Sequence, residues 1–143
     1  MKMIDTKVEE ILEFGEIAIN ELETYLMGLN MGKEKFELNM ESEGRFMHKD
    51  MLLMLKLREA AQRAMKSFLT QIDDEADIEL PSLDIPFINQ IIAEKNNYPN
   101  INLYIYSKLD EIYESTFSTC AKLKRMLEFF KNAKVLSQMG SIM

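Results

Sequence analysis

Tryptophan is missing from this chain, and cysteine and histidine occur once each, as Cys120 and His48. One cysteine excludes an intrachain disulfide, so packing alone must hold the fold together. One Cys and one His supply neither a zinc site nor the Glu-x-x-His pairs of a di-iron bundle. The glycines Gly15, Gly28, Gly32, Gly44 and Gly140 are scattered. No glycine-rich loop therefore precedes a helix to cradle a phosphate, and there is no Gly-x-Ser-x-Gly elbow. No apolar run approaches the ~18 residues that cross a bilayer. Residues 1–29 carry six glutamates, which a signal or transit peptide would not. These absences predict a cytoplasmic protein, in the host cytoplasm or virion if viral, with no membrane association and no cofactor or metal. The Lys, Asn and Ile usage fits an AT-rich bacterial, phage or viral genome.

What is present is apolar surface at helical spacing. Hydrophobic residues make up 47% of 143, enough for one domain spanning 1–143 with its own core. In the first helix Ile4, Val8, Ile11, Gly15, Ala18, Leu22, Tyr25 and Leu29 form one stripe, widened by Leu12, Ile19 and Leu26. Asp5 or Thr6 suits its N-cap, and Gly28, Asn30 and Gly32 read as its end. Gly15 and Ala18 place small residues mid-stripe, where a neighbouring helix can approach closely.

Residues 33–46 are ambiguous. The alternation in Lys35-Phe36-Glu37-Leu38-Asn39-Met40 is a strand signal, so a small β-hairpin over about 35–47 is one expectation. A loop or a short helix is the other.

A second helix is expected from about Met47 to Ile72, on the stripe Met47, Met51, Met54, Leu57, Ala61, Ala64, Phe68 and Ile72. Leu53, Met65 and Leu69 widen it. The acidic run Asp73 to Glu79 suits a helix C-terminus poorly and opens a linker bracketed by Pro81 and Pro86. A short third helix is expected over Pro86 to Lys95. The last helix should start after an Asn100 cap and run to about Leu136, with Tyr106, Leu109, Tyr113, Thr116, Cys120, Leu123, Leu127 and Phe130 inward. Ile105, Ile112, Phe117, Met126 and Phe129 widen that stripe. Its length implies that it is broken or that one end projects. The fold class is thus all-α, an antiparallel bundle of three long helices plus one short helix.

Charge is segmented. Residues 1–43 carry −7, 44–72 carry +4, 73–97 carry −6 and 98–143 carry +2. The economical reading sets the acidic first helix beside the basic second one. Arg45, Lys49, Lys56, Arg58, Arg63 and Lys66 would otherwise make a nucleic-acid face, but a pI near 4.8 opposes long-range attraction to phosphate.

Candidate chemistry is sparse. Asp73, Glu75, Asp77, Glu79 and Asp84 have calcium-loop spacing, yet Ile78 stands where that loop needs glycine and Pro81 interrupts it. His48 reads as a surface or capping residue, and Cys120 as a buried core residue. No catalytic residue is expected. The function expected is a non-enzymatic helical protein–protein interaction module, an assembly, scaffold or adaptor component that self-associates. The alternatives are a small acidic secretion-type chaperone for an amphipathic helix, and a nucleic-acid-associated regulator using the second helix. The residues expected to meet a partner are Met47, Met51, Met54, Phe129, Phe130, Leu136, Met139 and Ile142.

Overall fold

A computed structural model describes residues 2–38, 45–72, 78–82 and 101–142, with side chains described over 7–34, 52–72, 78–82 and 104–134. Among them are three helices: α1 (Lys2–Leu38), α2 (Arg45–Gln71) and α3 (Ile101–Ile142). The fold is an all-α bundle, and no strand occurs among the described residues.

α1 is the axle of the bundle, since both other helices pack on it. Gly15 lies against Phe68 of α2, Gly28 against Leu57 and Gly32 against Met54, so α1 and α2 run antiparallel. Gly15 also meets Leu127 of α3, Lys33 bonds Asp110 and Glu9 pairs with Lys134, so α1 and α3 are antiparallel too. α2 and α3 are therefore parallel to each other. The described helices therefore do not alternate up–down–up.

The expected first stripe is buried from Ile11 through Ala18, Leu22 and Tyr25 to Leu29. Its expected end is corrected. α1 continues through Gly28 and Gly32 to Leu38. Both glycines sit at interhelical contacts: a Cβ on Gly28 would lie 2.6 Å from Leu57 Cδ1, and one on Gly32 would collide with Met54 Cε. They admit a neighbour here and do not stop the helix, since packing outweighs the ~1 kcal/mol glycine penalty. The hairpin over 35–47 is corrected in the same way. Residues 35–38 end α1 and 45–47 begin α2. Residues 35–38 continue the hydrogen-bond ladder of α1, whereas an isolated two-stranded hairpin is marginal. The short helix expected over Pro86 to Lys95 lies outside the described residues.

Three widening positions also differ. Leu53, Phe117 and Phe129 were assigned inward but are 52%, 54% and 68% exposed. Each outer helix packs chiefly on α1, so the arc it buries is narrower than a helix surrounded by neighbours would bury. The last helix is unbroken. At ~1.5 Å per residue α3 spans about 63 Å and α1 about 56 Å, against about 40 Å for α2. The register Glu9–Lys134 carries α1 and α3 side by side past the end of α2, so the projecting part is a helix pair.

Candidate functional site

Two constructed features stand out, on opposite sides of α1. The first is a strap. Residues 78–82 lie extended along α2, with Leu80 fully buried. The Gln62 carboxamide serves this backbone as a strand edge would. Its Nε2 donates to Ile78 O at 2.8 Å, and its Oε1 accepts from Leu80 N at 2.7 Å. Arg58 donates to Leu80 O from Nε (2.8 Å) and Nη2 (2.6 Å), and lies 3.5 Å from the Glu79 carboxylate. The Tyr25 hydroxyl donates to Pro81 O at 3.1 Å. Burial pushes the Tyr25 hydroxyl up to about 12, with Arg58 opposing. Arg58 is thus committed to the fold, while Lys56, Arg63 and Lys66 are exposed.

The second feature is the groove between α1 and α3. Tyr25 and Met27 lie about 200° apart around α1, so this groove opens away from the strap. It widens into two adjoining hollows of about 410 and 430 Å³ that share Glu23 and Lys124. These two side chains bridge the helices at 3.1 Å and partition the groove. Hydrogen bonding to Glu23 holds the Lys124 ammonium above its ordinary value.

One hollow is apolar. Leu26 and Cys120 lie along its floor, with Met27, Tyr113 and Phe117 beside them. Tyr113 and Phe117 stack, ring centroids 6.3 Å apart. The other hollow is lined by Glu16, Ile19, Asn20, Leu127, Glu128 and Lys131. Beyond the apolar hollow, Lys33 Nζ bonds Asp110 at 2.8 Å and lies 4.7 Å from the Tyr113 ring centroid. That hydrogen bond, the larger influence, raises the lysine against the opposing effect of burial.

Chemically the groove offers apolar contact and paired charge. The Cys120 thiol is 2% exposed, and burial pushes it up, with Lys124 lowering and Glu23 raising it. It is held as a protonated core thiol, as its place on the stripe suggested. Among the described residues no three His, Cys, Asp or Glu side chains gather to hold a metal, and no helix is long and apolar enough to cross a membrane. The acidic spacing from Asp73 to Asp84 falls largely outside the described residues.

The residues expected to meet a partner are dispersed. Met54 is buried, its methyl seated at Gly32, and offers no open surface. Phe129 is exposed and meets the partly buried Phe130 edge-to-face at 5.5 Å. Met47 and Met51 begin α2, and Leu136, Met139 and Ile142 end α3; their side chains lie outside those described. The groove residues Met27 and Phe117 escaped the sequence reading. Met27 lay off the α1 stripe, and Phe117 was assigned to the core. The acidic first helix does lie beside the basic second one, as expected. Among the described residues the cross-helix ion pairs of α1 run to α3: Glu9–Lys134, Glu23–Lys124 and Lys33–Asp110. α3 supplies the lysine in two of these pairs and the carboxylate in the third.

No protein-family model matches the chain, and neither the curated proteins nor the solved structures compared with it give a match.

Proposed function

We propose that this chain is a non-enzymatic helical interaction module, an assembly, scaffold or adaptor component that self-associates through the open α1/α3 groove. One observation carries the reading. Met27 and Phe117, 66% and 54% exposed, flank a floor of buried Leu26 and Cys120, leaving apolar side chains in water beside a hollow. Leaving Met and Phe in water forgoes ~1.5–3 kcal/mol each that burial against a partner would recover. A methionine wall also adapts to the shape of what it meets. The same groove favours a second reading, a small acidic chaperone that receives an amphipathic helix of another protein.

Light scattering coupled to size exclusion tests self-association. The wild type is expected above monomer mass, and Phe117→Glu at monomer mass with unchanged helical circular dichroism. A wild type that stays monomeric at every concentration, with Phe117→Glu indistinguishable from it, overturns self-association.

A further inference from the structure

We infer that Tyr25, Arg58 and Gln62 form a receptor for an extended segment of a partner protein, of the pattern apolar–acid–leucine–proline, and that residues 78–82 occupy it as a stand-in. The receptor reads main chain. Gln62 bonds Ile78 O and Leu80 N, on either side of residue 79, as one residue of a parallel strand would. Arg58 gives Leu80 O two donors, and Tyr25 donates to Pro81 O. Gln62 and Tyr25 are 9% and 2% exposed, so their polar ends are built into the fold and need an extended chain to satisfy them. The result is strand addition carried out by helices.

The strap gives the site little beyond its backbone. Leu80 is its one fully buried side chain, while Glu79 stays exposed beside Arg58 and Ser82 is exposed. The site therefore asks for an extended backbone, one leucine and one acid. The long contacts of α1 with α2 and α3 do not run through the strap, so it can leave while they stay. Five residues join Ile72 to Ile78. A tether that short holds the strap at roughly millimolar effective concentration. The strap of a second copy offers the same contacts without the tether and cannot displace it below that concentration. A partner segment that runs past the strap positions adds contacts and can. The strap thus lowers a partner's apparent affinity by the fraction of time the site stands open, which shuts out weak matches.

The test uses the full chain and a fluorescein-labelled peptide of residues 76–84. Leu80→Ser in the chain removes the anchor of the strap. Fluorescence anisotropy is expected to show this variant binding the peptide ~10-fold or more tightly than the wild type, whose site is filled. Adding Gln62→Leu to the variant, or Leu80→Ser to the peptide, is expected to abolish binding. Hydrogen exchange on the wild type needs no variant. Peptide at roughly the tether's millimolar concentration is expected to speed exchange of the Leu80 amide and leave the Leu22 and Leu109 amides unchanged. The receptor is overturned by a Leu80→Ser chain of unchanged circular dichroism that does not bind, by binding that survives Gln62→Leu, or by a Leu80 amide indifferent to the peptide. A wild-type dimer that the peptide dissolves would make a second copy's strap the occupant and overturn the assignment to a partner protein. Self-association through the α1/α3 groove stands or falls separately, because that groove opens away from the strap.

Discussion

Thr116 shows how a single hydroxyl is placed at a cost. It lies on the inward stripe of α3, fully buried, and its Oγ1 finds no hydrogen-bond partner among the described residues. A buried unsatisfied hydroxyl costs ~1–3 kcal/mol, which a methyl of similar shape avoids. Thr116→Val is expected to raise stability by about 1 kcal/mol in urea denaturation. A loss of stability would mean that the hydroxyl has a partner. Tyr25 is the opposite case, a buried hydroxyl well used. An unfolded tyrosine ionises near pH 10, whereas Tyr25 in the fold holds its proton to about 12. Its raised value contributes stability that is complete below pH 10 and lost as pH rises toward 12. The loss reaches roughly 2–3 kcal/mol, because burial penalises the anion more than Arg58 favours it. Tyr25→Phe is expected to flatten that part of the stability–pH curve, measured by denaturation at several pH values between about 9 and 12. An unchanged slope would place the alkaline sensitivity in another group.

Among the elements, α1 governs how closely its neighbours approach. Gly15 and Gly28 both lie inside a helix, where alanine gains ~1 kcal/mol of propensity. Their surroundings separate them. A Cβ on Gly15 would come 2.5 Å from Leu127 Cδ1 and 3.0 Å from the Phe68 ring, one on each flank, and the ring cannot yield. A Cβ on Gly28 would press only the end of half-buried Leu57, which has room to swing. Gly15→Ala is therefore expected to destabilise by about 1–3 kcal/mol, and Gly28→Ala to be neutral or stabilising by up to ~1 kcal/mol. Thermal melts of the pair decide this, and equal effects would deny the asymmetry. The spacing of apolar residues made the helices and most of the core legible, because burying one face of α1, α2 and α3 depends on the period alone. It missed where α1 ends, because Gly28 and Gly32 have one appearance whether they terminate a helix or admit a neighbour. Only the position of Leu57 and Met54 distinguishes the two. It also missed the strap, since Gln62 and Arg58 read as polar surface until Leu80 is laid against them.

Over the whole molecule, the charge pattern was visible while its pairing was not. An acidic α1 demanded a basic neighbour, and α2 carried the larger positive charge. α2 does pack beside α1, but among the described residues the glutamates of α1 pair with Lys124 and Lys134 of α3. The groove was illegible for a related reason. Phe117 and Met27 acquire meaning only together, and they stand ninety residues apart in the sequence. Exposed ion pairs of this kind contribute little energy but select the partner and its direction.

The parallel arrangement of α2 and α3 has a consequence for how the protein comes into being. Helical bundles are usually fast folders because their contacts are local in sequence. Here α1 and α2 are neighbours in sequence, but the contacts of α1 with α3 wait for the last helix, and the pair Glu9–Lys134 joins residues far apart in the chain. On the ribosome, at roughly 5–20 residues per second, Ile19 and Leu26 remain uncovered for several seconds after α1 has emerged. An all-helical protein therefore passes through synthesis with the delay more familiar in β-sheet folds. Its apolar face is open throughout that interval, and under the proposed self-association neighbouring nascent chains of the same message would meet it before α3 does.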